Sequence, residues 1–243
     1  MLTSEGDKVF LEVDEIHMFY DKSHILQGIS LEMEKGEIVT LLGRNAVGKS
    51  TTLKSILGLI LPQRGSIRFK GEEVVGLRPH KICRLGIGYV PQERRIFPHL
   101  TVQQNLFLGI KSNQKVDHPW TIERIYSYFP RLEQRYRQKG RNLSGGEQQM
   151  LAIARTLMGN PELLLVDEPM EGLAPSLVEI VMQILREIRE NGCSILIVEH
   201  AIDVALNLAG RAYIMAKGKI VFQGTKEELY AAEGIRRKYL EVF

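Results

Sequence analysis

The chain has 243 residues, 44% hydrophobic and 25% charged, enough for one well-buried core in an ordinary soluble globular protein. Its 32 basic and 29 acidic residues leave a net charge of +3, too balanced to argue for a nucleic-acid partner. Cys83 and Cys193 fit no metal or redox spacing, the start "MLTSEGDKVF" lacks a signal-peptide pattern, and "ILGLILP" is far shorter than the roughly 20 residues of a membrane span; a cytosolic chain with reduced thiols is expected.

In chain order, "VFLEVDEIHMFY" and "ISLEME" read as strands with partial apolar alternation. "EIVTLLG" (37–43) reads as a buried strand and runs directly into "GRNAVGKST" (43–51). There Gly43, Gly48, Lys49 and Ser50 complete G-x-x-x-x-G-K-[ST], the pattern of a phosphate-binding loop. Leu53, Ile56, Leu57 and Ile60 follow at helical spacing, so the loop joins a strand to a helix. In that setting backbone N–H groups and a helix N-terminus converge on phosphate. Gly43, Arg44, Asn45, Ala46, Val47, Gly48, Lys49, Ser50 and Thr51 are therefore expected to hold a nucleoside triphosphate, with Lys49 on the β- and γ-phosphates and the Ser50 hydroxyl on Mg²⁺. Ala46 stands where many such loops carry glycine at positive φ. A Cβ there costs roughly 1 kcal/mol unless the loop bends away.

From Glu93 to Met158 the sequence is mostly helix-forming, with a polar loop at "KSNQKVDHPW", and reads as a helical lobe inserted into a sheet domain. Within it Ser144 can cap a helix whose apolar stripe is Met150, Ile153, Ala154, Leu157 and Met158, while Gly145 and Gly146 leave the first N–H groups accessible to an anion. The basic run from Arg131 to Arg141 reads as a solvated helix face. "LLLVDEP" (163–169) is an apolar strand closed by two carboxylates. Asp167 is placed for the Mg²⁺ shell, and Glu168 for the γ-phosphate, where a general base would polarise the attacking water. A helical stripe of Leu177, Ile180, Val181, Ile184, Leu185 and Ile188 then ends at Asn191-Gly192. "SILIVEH" (194–200) completes strand, helix, strand, the order of a crossover between adjacent parallel strands in an α/β sheet.

Leu143-Ser144-Gly145-Gly146-Glu147-Gln148 resembles the signature of ATP-binding-cassette (ABC) ATPases, and the likeness extends over nearly the whole chain. It implies a P-loop nucleotidase core with an antiparallel N-terminal β-subdomain and an inserted α-helical subdomain: 1–92 and 159–243 as core, 93–158 as the helical part. Tyr20 resembles the aromatic that stacks on adenine. Gln92, in "GYVPQERRIFPHL", resembles the glutamine that senses Mg²⁺ and meets the transport partner, and His200 the histidine that contacts the γ-phosphate. The stretches "FPRLEQRYRQKGRNLSGGEQQMLAIARTLM" and "EGLAPSLVE" are most similar to the smaller ATPase subunit of branched-chain amino-acid importers, whose relatives also carry urea or short amides.

The resemblance implies two cassettes paired head to tail, so that Ser144, Gly145 and Gly146 serve ATP bound by the other cassette, a related subunit or a second copy. It further implies transmembrane permease subunits met through Gln92 to Leu106, a solute-binding protein served indirectly, and a place on the inner face of the membrane. Ala174, where many such ATPases have aspartate, is common in this branch, and His200 stands where several relatives have glutamine. A soluble ABC protein of ribosomes or DNA would be expected to show two cassettes or long heptad insertions. A P-loop kinase would leave the signature unexplained.

Overall fold

The computed structural model describes residues 9–111 and 118–240, so most of the polar loop at "KSNQKVDHPW" lies outside the described residues. Among the described residues ten strands and ten α-helices follow one another: β1 (Leu11–Tyr20), β2 (Ser23–Met33), β3 (Ile38–Leu42), α1 (Lys49–Ile56), β4 (Arg64–Phe69), β5 (Glu72–Glu73), α2 (Pro79–Leu85) and β6 (Ile87–Val90) come first. Then come α3 (Val102–Phe107), α4 (Ile122–Tyr128), α5 (Pro130–Gln134), α6 (Gly145–Leu157), β7 (Leu163–Asp167), α7 (Pro175–Glu190) and β8 (Ser194–Glu199). α8 (Ile202–Leu208), β9 (Arg211–Ala216), β10 (Lys219–Thr225), α9 (Lys226–Ala231) and α10 (Glu233–Tyr239) close the chain.

The strands form an antiparallel sheet, β2-β1-β4-β5, and a larger sheet, β10-β9-β3-β8-β7-β6, parallel except for β10. Residue alternation explains how one strand serves two cores. On β7, Leu163 and Leu165 face the core shared with the antiparallel sheet, while Leu164 and Val166 face the core under α6 and α7. On β8, Leu196 and Val198 take the first face and Ile195 and Ile197 the second. These strands are buried throughout, which is why they read as unbroken apolar runs.

The region between β6 and β7 holds α3 to α6, with α6 packed on α3, α5 and β6. Three expectations need correction. α1 stops at Ile56, so Ile60 lies in the following turn. Ile180 is 41% exposed, and the buried stripe of α7 is Val181, Met182, Ile184, Leu185 and Ile188: its face is rotated away from Ile180 towards Met182. The basic run is not one helix face either, because α5 ends at Gln134, Arg141 sits in a 3₁₀ turn, and the Arg135 guanidinium pairs with the Glu147 carboxylate.

One polar knot ties the two sheets. The buried Tyr213 of β9 accepts from the Glu32 N–H of β2 at 3.0 Å and reaches the Glu32 carbonyl at 3.1 Å. Arg211 donates to the Glu32 carbonyl and to both Glu37 oxygens. Tyr213→Phe keeps the ring but strands the Glu32 N–H, while the Glu32 carbonyl keeps its bond from Arg211. It should lower the unfolding free energy by roughly 1–2 kcal/mol, read as a lower urea midpoint at unchanged slope.

Candidate functional site

The loop after β3 turns on glycines that tolerate no side chain. A Cβ on Gly43 would lie 2.4 Å from the Met215 carbonyl oxygen, and Gly48, at φ 112, would meet Met215 and Leu26 side chains within 2.8 Å. Ala46 sits at φ 63, inside the left-handed region, so the loop keeps its strain rather than bending to escape it. Gly48 is the residue from which α1 starts, which puts Lys49 and Ser50 in its first turn.

The parallel order brings distant strand ends beside this loop. β3, β8 and β7 are neighbours, and β7 ends in Asp167 with Glu168 just beyond. The Ser50 hydroxyl donates to Asp167 Oδ1 at 2.8 Å, and the Tyr89 hydroxyl of β6 to Asp167 Oδ2 at 3.1 Å. Burial comes first, then the Asp167 charge, in pushing the Tyr89 phenol above its ordinary range, so it stays a donor. The Lys49 ammonium, buried, donates to the Gly43 and Arg44 carbonyls at 2.8 and 3.1 Å and lies 3.4 Å from Glu168 Oε1. Glu168 itself is held at φ 46, a strained position of the kind that persists where surrounding contacts over-determine it.

Gln92, past the end of β6, donates to Glu168 at 3.1 Å and to Glu171 at 2.7 Å. His200 Nδ1 lies 3.7 Å from Glu168 and 3.9 Å from Glu199. Burial raises the Glu199 carboxyl above the usual range, against the N–H groups of Met170 and His200 that hold its charged form. Tyr20, 47% exposed at the end of β1, completes the far wall.

Tyr20, Asn45, Ala46, Gly48, Lys49, Ser50, Thr51, Gln92 and Glu168 thus line one cleft of about 390 Å³, with Ile25 as an unforeseen member. Gly43, Arg44, Asn45 and His200 line an adjoining cleft of about 370 Å³ beside Leu240, while Val47 packs into the core between the sheets. Ser144, Gly145 and Gly146 line neither cleft; they open α6, where Ser144 and Glu147 close a reciprocal capping box. Ile25, Tyr89, Glu171 and Glu199 were missed because each gains its role only from a neighbour on another element. The one local signal was the position of Glu199 beside His200.

The residues fit a polyphosphate with a hard cation. Ser50 and Asp167 pair oxygen with oxygen, the donor set Mg²⁺ takes, and Lys49 with the loop N–H groups supplies positive charge. Among the described residues no three His, Cys, Asp or Glu side chains cluster to hold a metal alone. A cation here would thus draw its remaining oxygens from phosphate and water.

Residues 26–171 match the family model described as ABC transporter. The chain is 43% identical to the high-affinity branched-chain amino acid transport ATP-binding protein BraG of Pseudomonas aeruginosa, covering 95% of this chain and 99% of that one. It is 34% identical to the lipopolysaccharide export system ATP-binding protein LptB of Haemophilus influenzae, covering 95% and 96%. The solved ADP conformation of an ATP-binding cassette of an ABC transporter superposes with a TM-score of 0.80 at 26% identity, covering 94% and 97%.

Because Ala46 holds a left-handed backbone, Ala46→Gly removes a misplaced Cβ without changing the fold. Urea unfolding should show a gain of up to about 1 kcal/mol, and a loss would mean that the Ala46 methyl packs usefully.

Proposed function

The chain belongs to the ABC transporter family, and from that premise we propose that it is the ATP-hydrolysing subunit of an importer for branched-chain or other neutral amino acids. The observation that carries the chemistry is the convergence of Lys49, Ser50, Asp167, Glu168 and Gln92 at the ends of β3, β6 and β7. The cargo assignment rests on the relative at 43% identity; urea or short amides are the alternative within the same branch.

On this reading the loop N–H groups and Lys49 hold the β- and γ-phosphates, and Tyr20 and Ile25 flank the base. Ser50 and Asp167, with Gln92, would hold Mg²⁺, which when bound neutralises phosphate charge. Glu168 is the base: its carboxylate accepts a proton from the attacking water, and its neighbours Lys49, Gln92 and His200 fix its orientation. Hydrolysis splits water across the γ-phosphorus, so the leaving group is ADP and the proton passes to Glu168.

Ser144, Gly145 and Gly146 open a helix outside the chain's own cleft, which supports a role for them on ATP bound by a second cassette paired head to tail, a related subunit or another copy. The permease surface we assign to Gln92 to Leu106. There the fully buried Asn105 clamps the loop by bonding the Phe97 N–H and the carbonyls of Phe97, Leu100 and Thr101, and Phe97 is left 50% exposed. Within the proposed division, 93–158 forms the helical part and 1–92 with 159–243 the nucleotide-binding core. Among the described residues no helix is long and apolar enough to cross a membrane, which agrees with a subunit held at the inner face through its permease. A solute-binding protein is then served only indirectly.

Glu168→Gln should bind MgATP but lose turnover on the order of a hundredfold or more. Unchanged turnover in a phosphate-release assay would remove Glu168 from the mechanism. Co-purification with a permease, and uptake of labelled leucine by the assembled transporter against labelled urea, tests the cargo.

A further inference from the structure

The head of α6 carries an acidic residue where an anion is expected to approach. The Glu147 side chain is 6% exposed, and its Oε2 accepts from both the Ser144 N–H at 2.8 Å and the Ser144 hydroxyl at 2.9 Å. A carboxylate tied to the serine meant to meet a phosphate works against that task. It opposes the positive potential of the helix N-terminus, and Coulomb repulsion between charges a few ångströms apart is strong where water is scarce.

The structure supplies an answer from the neighbouring element. Just past the end of α5, Arg135 Nε forms an ion pair with Glu147, 2.8 Å from Oε1, the carboxylate oxygen that Ser144 leaves free. Arg135 is itself steadied by a bond from its Nη1 to Gln138 at 2.9 Å. Burial pushes the Glu147 carboxyl up, but the Ser144 groups and the charges of Arg135 and Arg131 outweigh it and hold the carboxyl below its usual range, so Glu147 is ionised at neutral pH. The Arg94 guanidinium lies against Gly145, 2.8 Å from where a Cβ would stand, and leaves that side electropositive too.

We propose that Arg135 is a positioning residue for the signature: it cancels the charge of Glu147 and anchors that carboxylate at the Ser144 N–H, so that the Ser144 hydroxyl can turn from Glu147 to the phosphate of a partner cassette's ATP, beside bare glycine N–H groups. The proposal rests on the head-to-tail reading above and adds to it a residue outside the signature. It makes Arg135 necessary because Glu147 is charged, and for no other reason.

That dependence is testable in the complete transporter, purified with its permease and partner cassette, by measuring ATP hydrolysis against ATP concentration. Arg135→Gln should lower kcat/KM for ATP about tenfold, whereas Arg135→Lys, which keeps the charge, should stay within about threefold of the parent. Glu147→Gln keeps the capping-box acceptor and removes the charge, so in that background Arg135→Gln should cost less than about twofold. ATP binding by the isolated Arg135→Gln chain should match the parent, since its own cleft is untouched. Ser144→Arg, measured alongside, gives the activity that depends on this signature. Arg135→Gln equal to the parent while Ser144→Arg is inactive would overturn this proposal alone, as would an undiminished loss from Arg135→Gln in the Glu147→Gln background. Parental activity in Ser144→Arg would instead overturn the head-to-tail reading, and this proposal with it.

Discussion

A buried ammonium has to be answered by oxygen, and in this fold the Lys49 ammonium organises what surrounds it. Its side chain is 3% exposed and reaches two carbonyls of its own loop and the carboxylate of Glu168. Those partners come from two strand ends separated by β8, so satisfying one cation requires the parallel order β3-β8-β7. Glu168 in turn faces Gln92 and His200. A single charge thus links the phosphate loop to the ends of three further strands.

The same logic of compensation recurs with the sign reversed at the head of α6. Glu147 closes the capping box, a local stabilisation, but adds a negative charge that only Arg135 and its neighbours offset. In the cleft the cation is native to the motif and carboxylates answer it. At the signature the carboxylate is native and guanidinium groups answer it.

Two of the left-handed non-glycine residues fall at the cleft. Ala46 and Glu168 both hold left-handed backbone, one in the loop that wraps phosphate and the other at the end of β7. Neither has the glycine that would relieve it. The flanking buried strands and the bonds of Lys49 hold these residues in place, an arrangement found where side-chain direction matters more than backbone ease.

What the sequence determined by itself is whatever depends on neighbours a few residues away. The loop from Gly43 to Ser50, the cap of α6 by Ser144 and Glu147, the end of α7 at Asn191-Gly192 and the apolar runs of β3, β7 and β8 all follow from local backbone demands or from alternation. Helix phase was less legible: the pattern included Ile180, but the surface that α7 meets favours Met182. Tertiary structure alone decided the pairs that cross elements: Ser50 with Asp167, 117 residues apart, Gln92 with Glu171, Tyr89 with Asp167 and Arg135 with Glu147. A side chain's partner on another strand or helix depends on strand order and packing angle, and those are set by the burial of two apolar faces at once rather than by the residues that end up touching.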